Sequence, residues 1–185
     1  MEVSIVEMTG RAAYTLQELV EDGLTSQSIR DAVASGIPAT EILKEYVAQL
    51  GEICGDDDYA DLDIVRQLFR VGARPDASIM HDAVDKVRYD LLPLLIEAGG
   101  GNVDARNAAG ETLLMRAAWM QATILTDILL AHGADVNMID SQGKTALQYA
   151  AQFSAKVLAH LLREPTTNIN VGACSVVGHS THITD

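Results

Sequence analysis

Apolar residues recur at helical spacing along most of the chain. Tyr14 to Asp22, Thr25 to Ser35 and Thr40 to Cys54 each carry them three and four residues apart, the pattern that buries one face of a helix. Gly23 and Gly36 punctuate these runs, and Pro38 stands where a helix start tolerates proline. Ile64 to Ala73, Ser78 to Val84 and Leu91 to Gly99 continue the helical period. From Gly110 the pattern acquires a fixed interval. Gly110-Glu111-Thr112-Leu113-Leu114-Met115-Arg116-Ala117-Ala118 opens a segment that closes with Ile128-Leu129-Leu130-Ala131-His132-Gly133-Ala134-Asp135-Val136-Asn137. Thirty-three residues later Gly143-Lys144-Thr145-Ala146-Leu147-Gln148-Tyr149-Ala150-Ala151 opens a second copy, closed by Leu161-Leu162 and Asn168-Ile169-Asn170.

This period and these residues resemble the ankyrin repeat, a turn followed by two antiparallel helices that stack on their neighbours. The register extends backwards. Ser78-Ile79-Met80-His81-Asp82-Ala83-Val84 matches the family's Thr-Pro-Leu-His-x-Ala-Ala element, and Leu91 to Gly99 supplies the helix that follows it. Ile64 to Ala73 reads as the second helix of an earlier repeat, with Ile42 to Leu50 as its partner. The resemblance thus implies an all-α ankyrin-repeat solenoid of about four repeats with a divergent helical N-terminal cap. Residues 1–55 are expected to form the cap, 56–171 the repeats and 172–185 a flexible C-terminal tail.

Each position in the two regular copies has a physical task. Ala117, Ala118, Ala150 and Ala151 let paired helices approach closely, Leu114 and Leu147 face the core, and Leu-Leu pairs join the layers. Thr112 and Thr145 are placed to cap helix amides, and Gly133 to end a helix in the left-handed region. Several positions depart from the family pattern. Leu113 and Ala146 replace a proline, Met115 and Gln148 a histidine, and Gln121 and Ser154 a mid-repeat glycine. The finger between Gly72 and Ser78 is truncated, Gly99-Gly100-Gly101 is expected to loosen the next loop, and together they predict a weak joint. Pro93 should kink its helix or start it late. His81 stands where the family keeps a structural histidine bonded to loop backbone.

Charge narrows the partners. The chain of 185 residues has a net charge of −13, and Met1 to Ala77 holds six Lys/Arg against fifteen Asp/Glu. Such a surface repels phosphate backbones and attracts a basic protein. Aromatic residues make up only 4%, so the core is aliphatic and alanine-rich. Two cysteines, Cys54 and Cys174, make no disulfide framework. Met1 to Ile5 lacks a signal peptide's basic start, and no stretch approaches the roughly 20 apolar residues of a membrane span. A cytoplasmic chain, monomeric when free, is the expectation.

Little in the sequence suggests chemistry. Asp56-Asp57-Asp58-Tyr59-Ala60-Asp61-Leu62-Asp63 is the densest acidic run, but a calcium loop begun at Asp56 would place Asp61 and Gln67 where glycine and a carboxylate belong. Asp56, Asp57, Asp58, Asp61 and Asp63 are instead expected to form an acidic docking patch or a solvated helix start. Cys174, His179, His182 and Asp185 match no strong zinc spacing. No nucleophile triad or phosphate-binding glycine loop is present, so no catalysis, metal or cofactor is expected. Ile29 to Tyr46 could be drawn as a helix-turn-helix, but its second helix carries one lysine and no arginine.

In ankyrin proteins partners generally dock on the concave side, formed by turn tips and exposed positions of each first helix. Carried onto this sequence, the resemblance marks Asp85, Lys86, Arg106, Glu111, Arg116, Trp119, Met120, Ile139, Lys144 and Phe153 as partner-binding. Trp119 is the chain's only tryptophan. The implied function is a non-catalytic protein-interaction module, an adaptor or inhibitor. The alternative is an acidic immunity-type or anti-defence inhibitor that masks a nuclease or nucleic-acid-binding protein.

Overall fold

The computed structural model describes residues 20, 23–50, 59–98, 100–165 and 167. The tail 172–185, Asp56, Asp57, Asp58, both cysteines and the run from Tyr14 to Asp22, apart from Val20, lie outside the described residues. Among the described residues there are nine helices and no strand: α1 (Ser26–Ala34), α2 (Ala39–Gln49), α3 (Tyr59–Arg70), α4 (Ala77–Asp85), α5 (Leu91–Glu97), α6 (Leu113–Trp119), α7 (Thr123–Ala131), α8 (Ala146–Phe153) and α9 (Ala155–Leu161). The chain divides into two compact units, Met1–Ala105 and Arg106–Asp185.

In the N-terminal unit α2 packs against α3 and α4, while α5 packs against α3 and α4. Two helix pairs, α2/α3 and α4/α5, therefore lie one on the other, and α1 rests against both α2 and α3. Ile42, Leu43 and Val47 of α2, Val65 and Leu68 of α3, Ile79, Met80 and Val84 of α4, and Leu91, Leu92 and Leu95 of α5 are fully buried. These aliphatic side chains recur at helical spacing, each contributing about 1.5–3 kcal/mol on burial. His81 meets the role expected of it: buried, its Nε2 lies 3.2 Å from the Ala105 carbonyl oxygen. Arg88 is also buried and donates to both carboxylate oxygens of Asp90, at 3.0 Å and 2.8 Å. That fork satisfies a charge that would otherwise be expensive to remove from water.

In the C-terminal unit α6 packs on α7 and α8, and α9 on α7 and α8. Thr112 and Thr145 cap α6 and α8 through reciprocal bonds. Thr145 Oγ1 accepts the Gln148 amide at 3.3 Å, and the Thr145 amide donates to Gln148 Oε1 at 2.9 Å. Met115 takes the same place at α6, where its sulfur accepts the Thr112 amide at 3.4 Å. The two residues that replace the family histidine thus complete the capping boxes.

Helix ends share one device. At Gly36, Gly72, Val87, Gln121 and Gly133 the residue just past a helix has positive φ, and two amides return to the last turn's carbonyls. At Gly133 these bonds run from Gly133 to Leu130 and from Ala134 to Leu129, both 3.0 Å. Val87 at φ 56° and Gln121 at φ 61° are non-glycine residues in that conformation. Ser154 takes another course: its φ is −149° and its hydroxyl accepts the Val157 amide at 3.4 Å, so it starts α9 immediately.

Some expectations change. The connection after Gly72 is short as expected, since Asp76 already caps α4 by accepting the Ile79 amide at 2.9 Å. Gly101, however, is tightly held rather than loose. Its amide donates to the Leu95 carbonyl at 3.0 Å, and a Cβ there would lie 2.7 Å from Met80 Sδ. Pro93 falls at the third residue of α5, in the first turn, where no amide needs an intrahelical partner. Ala118 is buried, yet its equivalent Ala151 is exposed. Ala118 lies on α6, which α8 covers, and no further first helix follows α8 among the described residues. Leu147 is only half-buried; Ala146, Tyr149 and Ala150 fill the core instead.

Candidate partner-binding face

Two turns, 33 residues apart, build one edge of the C-terminal unit. Asn107 Oδ1 accepts the amides of Ala109 at 2.9 Å and Glu111 at 3.0 Å. Asp140 Oδ1 accepts those of Gln142 at 2.7 Å and Lys144 at 2.9 Å. A short polar side chain folding back on its own turn explains Asn and Asp at these places. The turns also touch: the Ser141 amide donates to the Ala109 carbonyl at 3.2 Å. Gly110, at φ 77°, sits where a Cβ would come within 2.8 Å of Ser141 Oγ.

Tyr149 ties this edge to α8. Its hydroxyl donates to Asp140 Oδ2 at 2.7 Å and lies 3.4 Å from Glu111 Oε1. Burial and the two carboxylates push the phenol well above its ordinary pKa. Burial alone would raise Asp140, but the Tyr149 hydroxyl and the Lys144 and Gln142 amides outweigh it and hold the carboxyl below its ordinary range. Glu111 also accepts from Asn107 Nδ2 at 2.7 Å. Both carboxylates on this edge are therefore engaged within the fold.

Beside this scaffold the unit presents aromatic surface. Trp119, the last residue of α6, is 46% exposed, and Phe153, the last of α8, is 40% exposed. Their rings meet edge to face with centroids 6.5 Å apart. The Arg116 guanidinium lies 4.6 Å from the Trp119 ring centroid, and Lys144 Nζ lies 5.6 Å from that of Tyr149. Arg106 donates from Nη2 to the carbonyl of Ile139, itself an exposed apolar residue. Met120 is half-buried at the end of α6.

Other expected binding residues belong to the N-terminal unit. Of these, Asp85 is exposed. Lys86 is half-buried and donates to the carbonyls of Ala48 and Leu50, at the end of α2. It closes a helix terminus, a structural task the sequence did not signal. Asp63 is exposed and pairs with Arg66 at 3.1 Å, while Asp61 lies in α3 with its side chain outside the described residues. The exposed residues of α2 are Glu41, Lys44, Ala48 and Gln49, a face whose single cation is offset by Glu41, unlike the basic face of a recognition helix. Sequence reasoning missed Asp140 and Tyr149. The pairing of Asn107-x-x-Gly110 with Asp140-x-x-Gly143 at the repeat interval was the available signal.

Among the described residues, no group of three or more His, Cys, Asp and Glu is placed to hold a metal ion. None of their helices is long and apolar enough to cross a membrane. An open cleft of about 270 Å³ lies between α7 and α9, where His160 Nδ1 is 2.6 Å from Asp127 Oδ1.

The repeated turn, the capped first helices and the stacked pairs agree with comparison to known families. A family model described as ankyrin repeats, in three copies, matches residues 80–173. A search of the curated proteins found no match. Ankyrin repeats are generally protein–protein interaction modules. The match covers half of the chain, and with the helical fold it settles the family: this chain belongs to the ankyrin-repeat proteins.

Proposed function

We propose that the chain is a non-catalytic adaptor or inhibitor whose protein partner docks on the Trp119 face of the C-terminal unit. The observation that carries this reading is the Trp119–Phe153 pair, two large aromatics left exposed side by side. Tryptophan and arginine, here stacked at 4.6 Å, are the residue types most often found as binding anchors. A partner that covers them removes apolar surface from water, which the free chain cannot do.

The test is capture of the native partner by the intact chain and by two variants. Trp119→Ala should abolish or sharply reduce capture. Ile124→Ala, which removes a more exposed apolar residue from α7, should leave it unchanged. Equal capture by all three would exclude this face.

Charge distribution favours a second reading, in which the acidic N-terminal unit masks a nuclease or nucleic-acid-binding protein. Met1 to Ala105 carries eight Lys/Arg against twenty Asp/Glu, whereas Arg106 to Asp185 carries five against six. A basic target would be steered by the first of these. Replacing Asp56, Asp57 and Asp58 by Lys should lower its association rate and flatten the salt dependence. A rate indifferent to ionic strength would exclude steering.

A further inference from the structure

We infer that segment 168–177 of this chain lies over the outer face of α8 and α9 and closes the repeat stack there. The face is defined by the difference between the last two layers. Leu114, Ala118, Leu125, Thr126 and Leu129 are buried, because α8 and α9 stack on α6 and α7. At the same places 33 residues later, Leu147 and Leu158 are half-buried, while Ala151, Ala159 and Leu162 are exposed. These five keep the aliphatic character of a stacking face, yet no further helix pair among the described residues stacks on them. Gln148 stands where Met115 is buried, and its Oε1 is already engaged by the Thr145 amide at 2.9 Å. The end of a repeat stack stays in water by turning a polar face outward. This end is apolar, so it calls for a cover.

The course of the chain selects the occupant. Thr167 stands 33 residues after Ala134, the point from which the chain leaves α7 and crosses to the next layer. The Thr167 amide donates to the Glu164 carbonyl at 3.1 Å and its hydroxyl to that of Leu161, tethering the exit to the end of α9. Asn168-Ile169-Asn170 then repeats Asp135-Val136-Asn137, in which Val136 is buried. Beyond it the repeat's letters stop. Ala173 and Val176 stand where Asp140 and Gly143 build a turn, and Gly178 where Thr145 caps α8. Another regular layer is therefore not specified, but Ile169, Val171, Val176 and Val177 supply apolar side chains. No charged residue occurs from Asn168 to Val177, so covering the face removes apolar surface from water without desolvating a charge. A second copy would have to compete with a tethered segment whose effective concentration is on the order of millimolar.

Thermal unfolding of four full-length chains tests the contact: the parent, Ala159→Glu, the pair Val176→Ser and Val177→Ser, and all three changes together. Ala159→Glu and the valine pair should each lower Tm by several degrees, and the combined chain should fall little further than either alone. Gln152→Glu, whose counterpart Trp119 is exposed in the preceding layer, should leave Tm nearly unchanged. A second readout uses Cys174 as the single thiol in a Cys54→Ser background. Its reaction with a thiol reagent should become several-fold faster when Ala159→Glu is added. Additive losses of Tm, no loss from the valine pair, or a Cys174 rate indifferent to Ala159→Glu would overturn the inference. So would a dimer seen by sedimentation that Ala159→Glu abolishes, because the face would then belong to a second copy.

Discussion

Trp119 and Phe153 end equivalent helices and meet at 74° between ring planes, each ring exposed on its outer side. Such a pair holds itself in place, contributing about 0.5–1.5 kcal/mol beyond the area buried. A rigid aromatic wall loses little entropy when a partner covers it, which is what an anchor requires. Trp119→Ala should therefore weaken partner binding by about 2 kcal/mol or more. Phe153→Ala should weaken it less, and calorimetry on the two variants should find only small changes in Tm. A large fall in Tm with binding retained per folded molecule would mean Trp119 is a packing residue.

Gln121 and Val87 hold backbone conformations that suit glycine, at φ 61° and 56°. An L side chain there costs roughly 1–2 kcal/mol, offset in part by the greater freedom of glycine in the unfolded chain. Gln121→Gly, at an exposed site, is expected to stabilise the protein by up to about 1 kcal/mol in urea denaturation. Val87→Gly should gain less, because Val87 is half-buried and loses contacts. Destabilisation by Gln121→Gly would show that its side chain holds the turn in a way the backbone geometry conceals.

Glycines at close approaches behave oppositely. Alanine at Gly110 meets both positive φ and the backbone of Ser141, 3.0 Å from its amide nitrogen. Gly110→Ala should destabilise by more than about 1 kcal/mol, since the obstruction adds to the conformational strain. Gly36→Ala, with the same sign of φ but open space around its Cβ, provides the comparison and should cost less. Equal losses at the two sites would remove the steric argument for contact between the turns.

Acid stability should divide between two aspartates of opposite sign. Burial alone would raise Asp90, but the Arg88 hydrogen bonds and charge outweigh it and hold the carboxyl below its ordinary 3.8. Its contribution is complete above that value and lost as pH falls through the lower folded-state value. Asp82 is raised, first by burial and then by Asp85, so its charge opposes folding at neutral pH and the penalty fades on protonation. Asp90→Asn should lower Tm at pH 7 and matter progressively less in strong acid. Asp82→Asn should raise Tm at pH 7, with the gain vanishing as Asp82 is protonated. Parallel effects of the two variants across the pH range would contradict these assignments.

The regular copies were legible because their letters carry local physics. Thr112 and Thr145 announce caps, Gly133 a left-handed helix end, and His81 a bond to loop backbone. Periodicity also paired the Ile42 run with the Ile64 run, since a buried helix face repeats wherever it occurs. What stayed hidden depends on neighbours distant in sequence. Ala151 has the same local setting as Ala118 but no further first helix stacked on it among the described residues, and Gly101 looks like slack until Met80 and Pro75 close around it. Lys86 reads as a surface cation although its ammonium caps a helix 36 residues away. The aromatic face was visible as a likeness to other repeats. The links from Tyr149 to Asp140 and Glu111 join residues 9 and 38 apart, so no local pattern announces them.

The central claim is that a protein partner covers Trp119. Acrylamide quenching of tryptophan emission measures this directly, because the single indole is the only reporter. In the free chain an indole 46% exposed should be quenched readily. Saturating partner should cut the quenching constant several-fold and shift emission to the blue. Identical quenching with and without bound partner would show that the partner docks elsewhere and would contradict the account.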